Sequence, residues 1–464
     1  MAMDKSEELE SFRRQVRNVT SEIMRNVHQR MEFARQIGEV KGRLGIDVKD
    51  EKVEQDIRTM VLDLADEIGM SNEFALRLLN ILLAESELVQ AKGQPKKVQM
   101  QTHLGIFMRA KQLEAAGKKI IHLEVGEPDY PPPAAAGKSL AESFKLKQYH
   151  YTDTRGIPKL RDAIARKEGV TEDRVIVTPG GRFAVFSAIA SLVKAGQELI
   201  AIEPAWPAYK ECADFLGARI QVLKTTIEEK WIPDTRRLEE LINPSTKMIV
   251  LNYPNNPTGK VLDRKTMDKI ATIAKDNNLY LLSDEVYADY AFEKFQSLRE
   301  YAYEKGIIIS SFSKRYAMTG FRVGYSVSSK DIISKMAKVQ AVGITSVAEP
   351  MQQAAFAALG EDPSENIAII KKRLDFMSAK LKEMSLRFTE PDGAMYVYPE
   401  LPSGEDMPLV EKMLERGVAI APGSGFGESY KKFVRISACQ SEVLLGKGLD
   451  ILASVIKEQA HTWK

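Results

Sequence analysis

Apolar residues recur at steps of three and four in the first part of the chain, from Leu9 to about Gln90, and this stretch contains no proline. One stripe is typical of a single face of a long helix and consists of Val16, Val19, Ile23, Val27 and Met31. The segment Gly42–Gly45 interrupts the pattern, a second helical pattern runs from about Asp50 to Ile68, and Ser71 precedes a third. We therefore predict three helices, the first of about 30 residues.

A long helix with a bare apolar stripe makes a poor monomer, because the stripe has to be buried against a partner. We therefore predict that residues 1–92 form an all-α three-helix domain that dimerises. This domain holds 14 Lys and Arg against 18 Asp and Glu, a net charge of −4, whereas the whole chain carries +2. An acidic helical surface is unsuited to phosphate backbones, so we expect no nucleic-acid partner.

The pattern changes after residues 93–98, a polar segment with Gly93 and Pro95 that is typical of a linker. Over residues 99–464, short and nearly continuous apolar runs alternate with helical segments. The runs are Val175–Val177, Leu199–Ile202, Met248–Leu251, Leu279–Leu282 and Ile307–Ile309. Such runs are typical of buried parallel strands followed by helices, which predicts a doubly wound α/β domain.

The overall composition is that of a globular protein, since 44% of the 464 residues are hydrophobic and 28% are charged. Cys212 and Cys439 are too few for a disulfide framework or a zinc site, so we expect core thiols and no metal. Residues 1–10 lack a signal-peptide core, and no apolar run approaches ~18 residues, so we expect no membrane segment. These features predict a cytoplasmic protein.

Polar clusters follow each predicted strand, where doubly wound sheets bind their ligands. The clusters are Thr178–Arg182, Glu203–Trp206, Asn252–Gly259, Ser283–Tyr287 and Ser310–Lys314. Each cluster alone is a weak signal, because a Gly pair after a strand is usually a tight turn and acidic residues at a strand end often cap a helix. Five of them at successive strand ends indicate one shared ligand site.

The clusters over residues 99–464 resemble the class I aminotransferases of the pyridoxal-phosphate superfamily. The most specific phrases are Asn255–Gly259 and Ser311–Arg322. The resemblance implies the fold type I of pyridoxal-phosphate-dependent transferases, with a large domain at about 143–350 and a small domain formed by about 99–142 plus 351–464. It also implies pyridoxal 5'-phosphate as the cofactor and a homodimer. The alternative is an inactive copy of this fold that serves as a sensor.

The resemblance assigns catalytic roles to Lys314, Asp284 and Tyr287. Lys314 would carry the cofactor and move the substrate Cα proton. Asp284 would face the pyridine nitrogen and keep it protonated. Asn256 and Tyr287 would bind the phenolic oxygen of the ring, and Trp206 would offer it a flat face.

A helix N-terminus at Gly181 and Arg182 suits the cofactor phosphate, because unpaired N–H groups converge there. The resemblance adds a hydroxyl from Ser311 and a guanidinium from Arg322. It also implies that Tyr151 reaches the phosphate from the neighbouring subunit, so that the site would require a homodimer.

The substrate side of this site is expected at two further positions. By resemblance, Arg435 would bind the α-carboxylate through a bidentate fork, and Gly126 would mark the loop that lies over the substrate. The preferred amino acid stays open: Arg182 could reach a distal carboxylate, or it could be structural.

In the helical domain, helical spacing groups polar residues in pairs on single faces. The pairs are Arg30 with Lys41, Asp50 with Glu54, and Ser86 with Gln90. Any one such pair is usually an ordinary set of solvated charges. Together with Arg13, however, they resemble the active-site positions of the all-helical chorismate mutases over nearly the whole domain.

That resemblance implies an intertwined dimer in which the partner subunit supplies Arg13. Arg30 and Lys41 would pair with the substrate carboxylates, Lys41 and Gln90 would approach the ether oxygen, and Glu54 would approach the ring hydroxyl. The reaction from chorismate to prephenate is pericyclic and needs no nucleophile. Catalysis then consists of holding the compact conformer and stabilising the charge that develops on the ether oxygen.

Several alternatives remain open. Val53 occupies a position where that family often has Arg, which removes one cation and bears on the affinity for the substrate. As a separate alternative, the domain would bind chorismate or an aromatic product only to regulate or dimerise. A transcription regulator is disfavoured, because the domain is acidic and has no strand pattern. We expect an amino acid, a 2-oxo acid and chorismate as small-molecule substrates. The acceptor would be prephenate, phenylpyruvate or hydroxyphenylpyruvate, with an aspartate aminotransferase as the alternative.

Overall fold

The computed structural model describes residues 5–46, 48, 50–91 and 103–462. The predicted linker, residues 93–98, lies outside the described residues. The chain divides into two compact units, one containing the N-terminal helices and one containing nearly all of the residues from 103 onward. Among the described helices, none is long and apolar enough to cross a membrane.

The first unit consists of three helices: α1 Lys5–Leu44, α2 Glu51–Glu67 and α3 Asn72–Ala91. The prediction of about 30 residues for α1 was wrong, because the helix has 40. The polar start of the chain extends it, since Glu7 and Glu8 lie in its first turn and favour a helix N-terminus. Asp50 caps α2, where its side chain accepts a hydrogen bond from the Val53 amide at 3.2 Å.

The core of the first unit lies between α2 and α3. Leu76, Leu79 and Leu83 of α3 are buried there, and Ile57 and Val61 of α2 pack against them. The predicted stripe on α1 is only partly covered within the chain: three of its apolar residues, Val16, Val19 and Ile23, are exposed. Dimerisation through this stripe stays a prediction.

The helices of the second unit flank its sheets. They are α4 His103–Ala115, α5 Ala134–Lys145, α6 Pro158–Glu168, α7 Gly181–Leu192, α8 Ala208–Phe215, α9 Thr235–Glu240, α10 Arg264–Asp276, α11 Phe312–Arg315, α12 Lys330–Ile344, α13 Glu349–Leu359, α14 Ser364–Glu383, α15 Asp406–Glu415 and α16 Glu442–Thr462. Short 3-10 helices cover Glu172–Arg174, Ala288–Tyr290, Leu298–Glu300, Gly423–Phe426 and Glu428–Tyr430.

A seven-stranded sheet forms the centre of the second unit, in the order β2-β8-β7-β6-β5-β3-β4. Its strands are β2 Val175–Thr178, β3 Glu198–Glu203, β4 Arg219–Lys224, β5 Thr246–Asn252, β6 Tyr280–Asp284, β7 Gly306–Ser311 and β8 Gly324–Ser328. Small sheets elsewhere use β1 Ile121–His122, β9 Tyr396–Val397, β10 Val418–Ala419, β11 Ala421–Pro422 and β12 Val434–Ser437.

The prediction of buried parallel strands is confirmed for β3, β5, β6 and β7, which pair in parallel. It was wrong for β2, which pairs antiparallel with β8. A continuous apolar run shows that both faces of a strand are buried, but it does not reveal the neighbour. The strands β4 and β8 were not predicted: β4 alternates with charged residues at an edge of the sheet, and β8 is rich in Gly and Ser.

Two large apolar cores lie in the second unit. One packs against the sheet and includes Ala136 of α5 and Ala354 of α13, two helices that the sequence assigned to the small domain. The other joins α4 to α14, α15 and α16. The exact division into large and small domains stays a prediction. Cys212 and Cys439 are both buried thiols.

Candidate active sites

The larger of the two predicted sites is a cavity of about 620 Å³ at the carboxyl ends of the central strands. Asp284 is the last residue of β6 and Ser311 is the last residue of β7. Predicted residues that line the cavity are Gly126, Gly181, Arg182, Trp206, Asn256, Asp284, Tyr287, Ser311, Lys314, Arg322 and Arg435. Tyr151 does not line it and is 89% exposed, and its predicted place is the cavity of a second copy.

Asp284 is a buried carboxylate that is only half satisfied. Its Oδ2 accepts a hydrogen bond from Tyr209 at 2.7 Å, whereas Oδ1 has no hydrogen-bond partner among the described residues. Burial raises the pKa of Asp284 to about 6, against the opposing effect of the Tyr209 hydroxyl. The free oxygen is therefore placed to accept a proton, or a hydrogen bond from a cationic N–H.

Lys314 lines the cavity, and its side chain is partly covered. Its Nζ donates to the Gly126 carbonyl at 2.5 Å, and Tyr290 donates to the Lys314 carbonyl at 2.9 Å. Burial lowers the pKa of the Lys314 ammonium. A neutral amine is favoured as a result, and a neutral amine is what a nucleophile or a proton acceptor needs.

Glycine at position 180 allows a cation to approach the start of α7. Gly180 has a φ of +82°, and a Cβ there would lie 2.6 Å from Nη2 of Arg322. Arg322 is oriented by a hydrogen bond from Nη1 to the Thr319 carbonyl at 2.8 Å. Burial, and then the positive charge of Arg182, lower the pKa of Arg322. The cation and the first amides of α7 together form a site for an oxyanion.

Arg182 is held at the rim of the cavity by two contacts. Its guanidinium lies 4.6 Å from the centre of the Trp206 ring and forms an ion pair with Glu211 at 3.0 Å. One face of Trp206 is thus covered by a cation, and the edge of the ring meets Tyr209. Half of the Arg182 side chain remains exposed, so solvent screens this ion pair.

Arg435 is the most buried cation in the cavity. Nη1 donates to the Asn256 side chain at 2.8 Å, and Nη2 donates to the Glu124 carbonyl. The rings of Tyr396 and Phe426 lie 4.3 and 4.9 Å from its guanidinium carbon. A desolvated guanidinium with aromatic neighbours and neutral anchors is suited to a carboxylate ligand.

Sequence reasoning missed several residues that support the predicted ones. Tyr209 bonds Asp284, and Tyr396 shares a hydrogen bond of 2.7 Å with Tyr287. Asn252 donates to the Asp284 carbonyl at 3.0 Å, which fixes β5 to β6 at the cavity. Tyr209 lies one helical turn after Trp206, so the spacing Trp206-x-x-Tyr209 was a usable signal. No local signal marks Tyr396, which comes from a distant part of the chain.

The second predicted site is a cavity of about 400 Å³ in the helical unit. It is lined by six of the seven predicted residues, namely Arg30, Lys41, Asp50, Glu54, Ser86 and Gln90. Apolar residues such as Ile57 and Leu83 complete its wall, and Val53 lines it as well. Arg13 lies elsewhere on α1, where it is mostly exposed and pairs with Glu10 at 2.6 Å.

Arg30 and Lys41 present their charges in this cavity without a carboxylate partner among the ion pairs that the structure describes. Arg30 donates to the Leu82 carbonyl at 2.8 Å and to the Ser86 hydroxyl. Lys41 donates to the Val48 carbonyl at 2.6 Å. Burial lowers the pKa of Arg30, the response of a cation that lacks full compensation. Both cations are placed to bind an anion.

A glycine brings α1 and α3 together at this cavity. A Cβ on Gly38 would lie 2.6 Å from the Cα of Gln90, so only glycine permits the observed approach. The Gln90 side chain is held there with its Oε1 buried and without a hydrogen-bond partner in the described part of the chain. A buried amide of this kind gains free energy if a ligand supplies the missing partner.

Two family profiles match different parts of the chain. The profile described as aminotransferase class I and II matches residues 118–450. The chain belongs to the class I and II aminotransferases. A second profile, chorismate mutase type II, matches residues 12–91, which contain all seven residues predicted for the second site.

Alignments with curated relatives cover most of this chain. It is 34% identical to the aspartate aminotransferase of Thermotoga maritima, with 74% of this chain and 93% of the relative aligned. It is 31% identical to the aspartate/prephenate aminotransferase of Thermus thermophilus, with 79% and 99% aligned. The structure of the Thermus thermophilus aspartate aminotransferase with maleate superposes with a TM-score of 0.73 at 31% identity, covering 78% of this chain and 99% of that one.

Class I aminotransferases depend on pyridoxal 5'-phosphate, which supplies an electron sink for amino-group transfer when it is bound. The residues of the larger cavity fit this group. The unpartnered Oδ1 of Asp284 matches a protonated ring nitrogen, and the Arg322 and α7 site matches a phosphate. Burial raises the pKa of Tyr287 well above its usual value, so its hydroxyl stays protonated and can donate.

Proposed function

We propose that the chain is a bifunctional enzyme. Its helical unit would convert chorismate to prephenate, and its aminotransferase unit would transfer an amino group between aspartate or glutamate and a 2-oxo acid. The observation that carries this proposal is the assembly of six predicted mutase residues, from three separate helices, around one cavity. Chance placement of solvated charges would not bring them to a common, partly buried site.

The mutase half rests on placement of charge. Chorismate carries two carboxylates, and Arg30 and Lys41 are two cations without carboxylate partners in this cavity. Gln90 offers an amide near the same wall, and Glu54 offers a carboxylate for the ring hydroxyl. Holding the compact conformer and stabilising charge on the ether oxygen lowers the barrier without a proton transfer.

In the aminotransferase half we assign each residue a task. Arg435 holds the substrate carboxylate against the two aromatic rings. Lys314, whose ammonium pKa is lowered by burial, would hold the cofactor and would act as the base that removes the proton from the substrate Cα. Asp284 would keep the ring nitrogen of the cofactor protonated through its unpartnered Oδ1, and Tyr287 would donate a hydrogen bond from its hydroxyl group.

Prephenate is the 2-oxo acid that links the two units. It is the product of one proposed reaction and a chemically suitable acceptor for the other. The relative from Thermus thermophilus bears the name aspartate/prephenate aminotransferase, which supports this substrate. Prephenate has a second carboxylate on its ring, and Arg182 at the rim is the candidate cation if it exchanges Glu211 for the ligand.

The decisive experiment gives the purified, cofactor-loaded chain chorismate together with aspartate or glutamate, and identifies the aminated product by mass. We expect arogenate. If prephenate accumulates while oxaloacetate is turned over quickly, the chain is an aspartate aminotransferase and the coupling is wrong. If chorismate is not consumed at all, the helical unit serves regulation or dimerisation only.

The proposal includes a homodimer, because Arg13 and Tyr151 lie outside the cavities to which they are assigned. Mixing Arg13→Ala with Arg30→Ala, each inactive alone, should restore about a quarter of the parental mutase rate, since half of the dimers are mixed and each has one intact site. No recovery after unfolding and refolding the mixture would contradict a shared mutase site.

A further inference from the structure

A row of charged side chains runs from the surface of the second unit to its interior. On α4, Lys111 pairs with Glu114 at 2.8 Å. A Glu114 oxygen lies 3.1 Å from Nε2 of His122, whose Nδ1 lies 2.8 Å from Oε1 of Glu124. The exposure of the side chains falls along this row, from 51% at Lys111 to 0% at Glu124. The row plays no part in the functions assigned above.

Glu124 is the costly member of the row, because its carboxylate is wholly buried. Oε1 is bonded to His122, and Oε2 has no hydrogen-bond partner within the described residues. A buried carboxylate without compensation is strongly unfavourable, and a nearby cation removes most of that cost. His122, when protonated, is the cation in direct contact with it.

The backbone of the same residue orients the proposed substrate-binding arginine. The Glu124 carbonyl accepts a hydrogen bond from Nη2 of Arg435, and the Leu123 carbonyl accepts one from the Ser437 amide at 2.8 Å. Residues 123 and 124 are therefore fixed to β12 at Ser437 and at Arg435. A shift of the Glu124 side chain would move the carbonyl that aims the guanidinium.

We propose that His122, in its protonated form, is a positioning residue that holds Glu124 and thereby sets Arg435 to bind the substrate carboxylate. This rests on the proposed role of Arg435. Aminotransferase substrates would bind more tightly while His122 is charged, and the effect would fall on carboxylate affinity and KM rather than on kcat, because His122 contacts no reacting atom.

The direction of the pH effect follows from the groups around His122. Glu124 faces it from the segment after β1, and Glu114 faces it from α4 with Lys111 behind. The two other neighbours of His122 carry no charge: the Phe107 ring on α4, and Ala419 of β10, which pairs with His122 in the sheet. The hydrogen bond with Glu124 raises the pKa of His122, against the effect of burial. The cation is thus present below this raised pKa and is lost as the pH rises through it.

The test is calorimetric binding of maleate to the cofactor-loaded enzyme over a pH series, for the parent and for His122→Asn. Asparagine retains a donor near the position of Nδ1 but does not titrate. At each pH the ratio of the two Kd values cancels the titration of maleate and of Lys314. We expect the variant to bind about fivefold more weakly at low pH, and the ratio to fall towards one at high pH. His28→Asn, in the helical unit, is the matched control and should give a ratio of one throughout.

A ratio of Kd values for His122→Asn that does not change with pH would overturn the proposal. Arg435→Gln separates this outcome from a failure of the site assignment. If Arg435→Gln binds maleate as well as the parent, or the parent binds none, the assigned role of Arg435 is wrong and the positioning role falls with it. If Arg435→Gln loses binding and the His122 ratio is flat, only the positioning role is wrong.

Discussion

The two cavities of this chain solve the same problem, the binding of carboxylates, with different degrees of burial. In the aminotransferase cavity Arg435 is 2% exposed, and it is held by the Asn256 side chain, the Glu124 carbonyl and two aromatic rings. In the helical unit, Arg30 is only partly buried and is anchored by the Leu82 carbonyl and the Ser86 hydroxyl. One site is built at the carboxyl ends of sheet strands, and the other lies among three helices.

The difference follows from the chemistry that each site is proposed to perform. Amino transfer needs a lysine that can give up its proton, and burial lowers the pKa of Lys314 in that direction. A pericyclic rearrangement needs no titrating group, so fixed cations at the edge of a bundle are sufficient.

The strongest break of the comparison is Lys314→Ala. We expect the visible absorbance of the bound cofactor to disappear and transamination to fall at least about a thousandfold, because the residue is both attachment point and proton acceptor. The mutase rate should be unchanged, since the two cavities share no residue. Lys372→Ala, an exposed lysine that pairs with Glu442, is the control. Normal transamination by Lys314→Ala would refute the assignment.

Arg30→Ala should have the opposite effect, a loss of the mutase activity without a loss of transamination. It leaves a substrate carboxylate without its cation, at a cost of about 2–5 kcal/mol, so the mutase rate should fall roughly a hundredfold or more. Transamination should not change. Arg35→Ala on the same helix removes only exposed pairs with Glu32 and Glu39 and should leave both rates intact. A mutase rate within a few-fold of the parent would show that the catalytic assignment is wrong.

Gly38→Ala tests whether the close packing of α1 against α3 supports the helical unit and its cavity. Alanine in a helix normally stabilises by roughly 0.5–1 kcal/mol, but here its Cβ would lie 2.6 Å from the Gln90 Cα. Steric overlap should win and lower the free energy of unfolding of the helical unit by about 1–3 kcal/mol, with a loss of mutase rate. Gly137→Ala in α5 has open space around its Cβ and should be neutral or stabilising. Chemical denaturation followed by circular dichroism measures both.

The smallest expected effect concerns the pH dependence of the cofactor-free protein. The pKa of Asp284 is raised to about 6, above its usual value of 3.8. The protonated carboxyl is thus favoured in the folded state, and this contribution to stability is lost as the pH rises through about 6. Asp284→Asn should weaken the fall in Tm over that range, whereas cofactor loading should offset it in the parent. Equal Tm profiles for the cofactor-free parent and variant would contradict this.

The residues that line the two cavities were easier to predict from the sequence than the strands that surround them. Strand-end clusters locate the larger cavity because parallel strands deliver their carboxyl ends to one edge, as β5, β6 and β7 do. Helical spacing likewise grouped Arg30 with Lys41, because both residues lie on one face of the same helix, α1. In contrast, β8 was missed, because its Gly and Ser residues have no strand pattern and its place is decided by antiparallel pairing with β2 and β7.

Long-range support was equally invisible in the sequence. Tyr396 reaches Tyr287 across 109 positions, and Arg435 reaches the Glu124 carbonyl across 311. Such contacts depend on how separate elements pack, and no spacing rule along the chain encodes them. The assignments of Arg13 and Tyr151 to a partner came from family resemblance, and they remain predictions.

The pairing of Gly180 with Arg322 has a practical consequence for handling this protein. A guanidinium facing the first amides of a helix accepts any small oxyanion, and phosphate and sulfate are abundant in ordinary buffers. Such ions should occupy the place of the cofactor phosphate in cofactor-free preparations and stabilise them by mass action. Reconstitution should consequently be slower in phosphate than in an amine-sulfonate buffer, and two laboratories with different purification recipes would measure different cofactor affinities for the same enzyme.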